Sequence, residues 1–568
     1  MRRAAIGLGL LWLLVYVAPL GVLPMGSPDE SRYAEIAREM LVSGDQVVPR
    51  LNGLLYLEKP PLVYWTTELS LAVFGLNSFA VRLHSAISVA LTALMVALLV
   101  RRFTGSDEES LLSAAMYGTG VMVFGLGSVA IPDSLLTLFL TGTLAAVLCS
   151  LDATRTGPRA GWLAAAGLSC GLAFLTKGFL AVAVPGMVIA VWLVFSSRRW
   201  EVIKLVWLPA LTAVATVLPW GILIHRRQPQ FWSEFIWVQH IERFLAPEGA
   251  THHPEPLWYF LPVLAYGTMP WLLMIPAATA GLLLRRRREP WLLAIVAWFV
   301  LPLLFFSSSS GKLATYILPI FPPLAIIMSG GLMEYARHGR GRRLFNVGAA
   351  ISAVAALLTL PAVWIVARPY YGPGEMWKWL MMMLALAAWA ACSLLALRSQ
   401  SLRRGIRAYA AAPLVLFFAI HFLYPTTAAA RPSLGAFMEQ HGSEIPPSAL
   451  VVVDTESVHG VSWFLQRHDL FLFPVGGELS YGLAREGQQG RLLVPEKLDE
   501  RLMNPGRRED LVIIIDEEKF GDLLDEHLAA LPIKPVFSHQ DVGFRLLRFS
   551  PLAENAGPVT GGTDASPS

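Results

Sequence analysis

Charge is what this sequence is short of. Asp, Glu, Lys and Arg make up 15% of its 568 residues, against about 25% in a soluble globular domain. With a mean hydropathy of +0.53, that shortage excludes an ordinary soluble enzyme and points to a chain solvated largely by lipid. Cysteine is nearly absent, and Cys149, Cys170 and Cys392 all fall within apolar runs. Residues so placed exclude a disulfide framework or thiolate metal site and read as small buried hydrophobes. No internal repeat stands out. The net charge of +4 carries little meaning, because in a membrane protein the positions of the charges matter more than their sum.

What is present is a series of apolar runs, each long enough to cross a bilayer. Hydropathy predicts thirteen spans, near 4–24, 80–100, 111–130, 133–151, 160–177, 179–197, 203–224, 257–284, 290–307, 312–334, 344–367, 376–397 and 407–426. The first follows Arg2-Arg3 without a small-residue cleavage pattern, so it reads as a retained anchor and not as a signal peptide. Basic clusters fall at alternate connections: Arg2/Arg3, Arg101/Arg102, Arg155/Arg159, Arg198/Arg199, Arg285 to Arg288, Arg337/Arg340/Arg342/Arg343 and Arg398/Arg403/Arg404/Arg407. The positive-inside rule puts these clusters and the N-terminus in the cytoplasm. An odd number of spans then puts the C-terminal portion outside.

Residues 1–427 are expected to form the membrane domain. From 428 to 550, "SALVVVDTE", "LFLFPVG", "DLVIIIDEEKF" and "KPVFSHQDVGFRLLRF" read as short strands, with helices near 493–504 and 518–530, giving a small α/β domain. Residues 551–568 are Gly/Ser/Thr/Pro-rich and are expected to be disordered.

The outer face of this topology collects the unusual polar residues. "GSPDESRYAEIAREML" opens with Ser27 and Glu30 at capping-box spacing and Pro28 at the first helical position, so a helix starts there. Helix capping suffices for Glu30 and could cover Asp29; a functional carboxylate is the alternative. A second short helix is expected at "PLVYWTTELSLAVFG", both lying along the membrane. Glu58-Lys59 precede two prolines on a stiff turn, either as a solvated ion pair or as a binding element. Asp133 stands where an apolar run resumes, as a helix cap or as a carboxylate aimed into a cavity. Lys177 is isolated between apolar stretches, where snorkelling competes with function. The loop "EFIWVQHIERFLAPEGATHHPEPLWYF" supplies His240, Arg243, His252 and His253, a spacing that is no recognised zinc signature. Lys312 and Tyr316 are expected on one face of the same helix. Together these residues fit a mixed acidic and basic cleft suited to a phosphate beside a hydroxyl, an amine or a divalent metal.

At "SPDESRYAEIAREM", "LEKPPL" and "KLATYILPIFPPLA" the chain resembles the 4-amino-4-deoxy-L-arabinose lipid A transferase branch of the protein O-mannosyltransferase superfamily, membrane glycosyltransferases of the GT-C fold. The resemblance covers residues 1–430 and includes a periplasmic C-terminal domain. It implies Asp29 as principal active-site carboxylate and Asp133 as a second, with Lys59, Arg243 and Tyr316 holding the donor phosphate. Glu30, Arg32, Tyr33, Tyr56, Lys177 and Lys312 would line the cavity. Glu58 would bind a divalent metal (Zn, Mg or Mn), with His240 as partner and His253 as a rival ligand. The loop departs from the family pattern at Gln239, where an acid is expected. The implied donor is a sugar on undecaprenyl phosphate and the acceptor lipid A or another envelope molecule, in an inverting transfer at the periplasmic face of the inner membrane. The partners are then these lipids and the bilayer, with no nucleic acid, no nucleotide cofactor and a monomeric enzyme. Two rivals remain open: glycosylation of O-antigen, another glycan or protein hydroxyls, and lipid or sugar transport. Polar groups gathered on one face, without a repeated half, count against transport.

Overall fold

The computed structural model describes residues 2–26, 28–242, 254–284, 290–338, 342–423, 433–485, 487–541 and 543–552. The chain separates into two compact units. One comprises residues 1–23, 40–49 and 57–428; the other comprises 24–39, 50–56 and 429–568.

The first unit is helical. Among the described residues, nine helices are long and apolar enough to cross a membrane, or eleven when two bent pairs, Asp107–Gly127 and Phe260–Leu284, each count as one. The predicted number of thirteen is therefore not reached by length and composition. The difference lies in two places: Leu180–Phe195 is a shorter apolar helix, and the first run is Arg2–Trp12 continued by a π-helical turn, Leu13–Val17. Burial is uneven. In the most apolar windows of Pro132–Asp152 and Ala314–His338, 83% of the residues are inside, against 6% for Arg199–Arg227. The first two are central and the last presents its apolar side chains to lipid.

One helix end gathers cations. Arg102 reaches the Asp152 carboxylate at 2.8 Å, Arg198 donates to the Asp152 and Ala153 carbonyls, and Arg159 to those of Ser150 and Ala153. These bonds satisfy the carbonyls left over where Pro132–Asp152 ends. Arg285 to Arg288 and Arg340 lie outside the described residues.

The second unit is built on a five-stranded sheet. Its strands are β3 (Leu450–Val453), β4 (Phe471–Leu472), β5 (Leu511–Asp516), β6 (Phe537–Asp541) and β7 (Phe544–Phe549), in the order β4-β3-β5-β7-β6. Strand β3 runs parallel to β4 and β5, and β7 antiparallel to β5 and β6. Every residue of Leu511–Ile515 is fully buried, which suits a central strand covered on both faces. Helices Pro495–Leu502 and Glu517–Ala529 supply Leu498, Leu502 and Leu524 to its core. The strands and these two helices stand where the sequence predicts them; residues 553–568 are outside the described residues.

Packed with this sheet domain are two pieces of the segment that follows the first apolar run, residues 24–39 and 50–56. The helix Asp29–Ser43 belongs to the unit as far as Glu39. A small hairpin, β1 (Arg50–Leu51) and β2 (Leu54–Leu55), turns at Asn52 and Gly53, both with positive φ. That is the backbone a two-residue type I′ turn needs. The Asn52 side-chain amide donates to the Leu470 carbonyl at 2.9 Å and its oxygen accepts from the Leu470 N–H at 3.0 Å. Arg491 donates to the carbonyls of Asn52, His468 and Leu470. At Gly53 a Cβ would lie 2.8 Å from the His468 carbonyl oxygen, so the close approach admits no side chain.

Candidate active site

The membrane unit holds one polar group of predicted site residues. Pro132 opens the helix Pro132–Asp152 with Asp133 in its first turn. The next helix, Thr156–Lys177, ends on Lys177, capped by the Gly178 N–H at φ +72°. Two antiparallel helices joined by a short turn place the first residue of one beside the last of the other. The Lys177 ammonium accordingly donates to Asp133 Oδ1 at 2.8 Å. Asp133 exposes 6% of its side chain and Lys177 16%. An acid at a helix N-terminus and a cation at a C-terminus also match the two helix dipoles. Tyr316 completes the group, its ring centroid 5.1 Å from Lys177 Nζ, within cation–π range.

Lys312 departs from its predicted place. Helical backbone begins only at Ala314, in a 3₁₀ turn running to Ile320, so Lys312 and Tyr316 share no helix face. Lys312 is buried and donates to the Glu255 carbonyl at 2.6 Å, a structural bond. Glu58 and Lys59 occupy a bend before Pro60, Pro61 and the helix Leu62–Phe74, both half-buried.

The second unit holds the other group. Asp29 opens its helix with 65% of its side chain exposed, and Arg32 one turn on reaches it at 3.2 Å. Glu30 turns back so that the Gly26 N–H donates to its Oε2 at 2.7 Å. The predicted capping box would have the Ser27 N–H as donor to Glu30; the donor seen is one residue earlier, and Ser27 lies outside the described residues. Arg32 is 13% exposed and forms a second ion pair, 2.9 Å from Glu478 Oε1. The Tyr56 hydroxyl donates to Glu478 Oε2 at 3.2 Å, and His459 Nε2 lies 2.6 Å from Oε1. Burial alone would lower the Arg32 pKa, but Tyr56, Glu478, Tyr33 and Asp29 together hold it above its ordinary value. Tyr33 and Tyr56 are buried.

Further along the same helix lies a carboxylate pair of another kind. Arg38 forks onto both oxygens of Glu35 at 2.7 and 2.6 Å, both side chains buried. Glu39 accepts from the Gly53 N–H through both oxygens, at 3.1 and 3.0 Å. Arg38 bonds Glu35 directly and acts on the second buried acid, Glu39, only through its charge. Burial pushes Glu35 up to about 8, against the pull of Arg38 and with Glu39 adding to the rise. These groups fasten the hairpin to the helix.

Of the three predicted metal ligands, Glu58 alone has a described side chain; His253, like Arg243, lies outside the described residues, as does the side chain of His240. Among the described residues no three His, Cys, Asp or Glu side chains gather in a metal-binding group. Sequence reasoning missed Glu478. It follows two glycines in "PVGGELS", outside any periodic segment, and its partners Tyr56 and Arg32 lie more than 400 residues away.

Comparison with known proteins places the chain in a family. The profile described as dolichyl-phosphate-mannose-protein mannosyltransferase matches residues 5–235, and that of the arabinosyl transferase ArnT C-terminal domain matches residues 432–541. The chain is 34% identical over 529 residues to the undecaprenyl phosphate-alpha-4-amino-4-deoxy-L-arabinose arabinosyl transferase of Yersinia pestis (strain Pestoides F), covering 92% of this chain and 94% of that one. It is 33% identical to a similarly named transferase of Proteus mirabilis (strain HI4320), covering 90% and 93%. The fold matches ArnT from Cupriavidus metallidurans in the apo state with a TM-score of 0.80 at 25% identity, over 98% of this chain and all of that one. The same enzyme bound to undecaprenyl phosphate also gives 0.80, at 24% identity, over 98% and 99%. The chain is a polytopic α-helical membrane protein of the GT-C type with a C-terminal α/β domain, and it belongs to the undecaprenyl phosphate-aminoarabinose arabinosyl transferase family of glycosyltransferases.

Proposed function

We propose that the protein moves 4-amino-4-deoxy-L-arabinose from undecaprenyl phosphate to lipid A, with inversion at the anomeric carbon. The observation that carries this reading is identity of about one third sustained over nine tenths of the chain to transferases named for that donor. The mannosyltransferase profile, by contrast, stops at residue 235, which favours the aminoarabinose reading over glycosylation of protein hydroxyls. A lipid-linked donor needs no nucleotide.

The bond broken joins the sugar's anomeric carbon to a phosphate oxygen. Undecaprenyl phosphate leaves with the electron pair, gaining negative charge, while an acceptor oxygen bonds the same carbon from the opposite side. Lys59, Arg243 and Tyr316 stabilise the leaving phosphate, an electrostatic contribution from preorganised groups. A lipid A phosphate is already ionised and needs no general base. Asp29 therefore orients the acceptor or holds the sugar's ammonium group; its exposed carboxylate suits either contact. For a hydroxyl acceptor the same group would take the proton. Asp133, paired with Lys177, sets that ammonium beside Tyr316.

Thirteen spans remain our reading, supported by a helix or bent helix pair at each of the thirteen predicted runs once the two shorter segments are counted. The N-terminus is cytoplasmic and the Asp133–Lys177 end periplasmic, supported by the arginines gathered at the opposite end of the same helix. The membrane is the bacterial inner membrane. A divalent metal at Glu58, with His240 or its rival His253, is part of the proposal, and a carboxylate with an imidazole suits zinc. Such an ion would stabilise phosphate charge. Chelation of the purified protein should then remove turnover, and added zinc restore it.

The function is tested by expressing the chain in a polymyxin-sensitive strain lacking aminoarabinose transfer and weighing its lipid A. Aminoarabinose-modified lipid A is the expected product. Unmodified lipid A from cells that contain the donor and the folded protein would overturn the proposal.

A further inference from the structure

Glu478 belongs to the C-terminal domain, which sequence reasoning leaves without a role, yet its carboxylate is the meeting point of three residues. On one oxygen it holds Arg32 at 2.9 Å and His459 at 2.6 Å; on the other, Tyr56 at 3.2 Å. Two of these, Arg32 and Tyr56, come from the segment that follows the first apolar run, and Arg32 in turn touches Asp29 at 3.2 Å. The third, His459, is 1% exposed on the helix Val458–Leu465 of the sheet domain. Glu478 itself retains 22% side-chain exposure, so it is not sealed in a core as Glu35 is.

A structural acid in this protein has another appearance. Asp454 is fully buried and accepts four hydrogen bonds, from the N–H groups of Glu456, Ser457 and Asp516 and from the Ser457 hydroxyl. Every one of those donors belongs to the sheet domain. The partners of Glu478 are instead Arg32, which also reaches the exposed Asp29 carboxylate, Tyr56, and a buried histidine that anchors the acid. An arginine with several rotatable bonds is held to one geometry by such a second contact. We propose that Glu478 is a positioning residue for transfer: anchored by His459, it fixes Arg32 and Tyr56 and through Arg32 the Asp29 carboxylate. The C-terminal domain is then part of the catalytic apparatus. This inference rests on the functional reading above.

The test uses the full-length protein in lipid nanodiscs with undecaprenyl phosphate-linked aminoarabinose and lipid A. Replacing Glu478→Gln keeps the volume and removes the charge. The expected result is a fall in kcat of about tenfold or more, the scale of a lost charge-assisted hydrogen bond. KM for the donor should stay within about twofold, because positioning acts on the transition state. In an Arg32→Ala background the same change should lower kcat by less than about twofold, since residues acting as one unit are non-additive. Normal kcat per folded Glu478→Gln molecule, or losses that add in the double variant, would overturn the inference while leaving the functional reading intact. A Glu478→Gln protein that fails to fold would assign the residue to stability and overturn it as well. Absence of turnover by the wild-type protein would overturn the functional reading, and this inference with it.

Discussion

Two acid–cation pairs on helix ends, one in each unit, are built from the same residue types and differ in what they leave available. In the membrane unit Asp133 is buried, Lys177 is largely covered, and the two meet at 2.8 Å. In the sheet-bearing unit Asp29 and Arg32 meet at 3.2 Å, with most of Asp29 exposed and Arg32 shared with Glu478. A buried pair has already spent the desolvation energy that a ligand would otherwise provide, so it holds geometry. An exposed carboxylate whose cation is held elsewhere can still exchange water for a substrate. Asp133 and Asp29 are both acids at the start of a helix, and the different work proposed for them follows from their burial.

The comparison can be broken at several points. The largest effect is expected from Asp29→Asn, which should lower kcat by about a hundredfold or more, the scale of a lost substrate-positioning contact. Its melting temperature should hardly move, because exposed substitutions stay within about 0.5 kcal/mol. The purified variant's turnover and thermal unfolding would be read side by side; a melting shift with normal turnover would reverse the roles assigned to the two acids. Lys177→Met should do the opposite first. Stranding the buried Asp133 charge costs about 3–5 kcal/mol, seen as a large drop in melting temperature in detergent. Adding Asp133→Asn should recover most of that stability without recovering turnover. Unchanged stability of Lys177→Met would show that the pair is solvated.

Smaller effects belong to the hairpin. Gly53→Ala forces a side chain into the positive-φ turn against the His468 carbonyl. A loss of about 1–2 kcal/mol is expected for the left-handed backbone alone, measurable by denaturant unfolding of the whole protein. The smallest and most specific effect is a pH slope. The Glu35 carboxyl, about 8 when folded and ordinarily 4.5, binds a proton more tightly in the native state than in the unfolded chain. Stability is therefore fullest below pH 4.5 and falls as pH rises toward 8. Glu35→Gln should flatten that slope; a slope of equal size in the variant would place the titration elsewhere.

Much of this was legible in the sequence where the chemistry is local. Apolar runs became helices because nothing but a helix satisfies the backbone in lipid. Asp133 and Lys177 met because each ends a helix on the same side of a short turn. Val512–Ile515 announced a buried strand by an unbroken β-branched run. Lys312 was misplaced because helical periodicity was carried back across residues that are extended until Ala314. The β1–β2 hairpin carried a strong local signal in Asn52-Gly53 that sat unread beside the more conspicuous Glu58-Lys59-Pro60-Pro61. Glu478 carried no local signal. Its role arises from a tertiary contact across most of the chain, which hydropathy and spacing do not encode.

The most direct measurement reconstitutes transfer with the purified wild-type protein, undecaprenyl phosphate-linked aminoarabinose and lipid A, followed by mass spectrometry and anomeric analysis of the product. The account predicts aminoarabinose on a lipid A phosphate with the anomeric configuration inverted relative to the donor. Lipid A left unmodified by active-fraction protein, or a product that retains the donor's configuration, would contradict it.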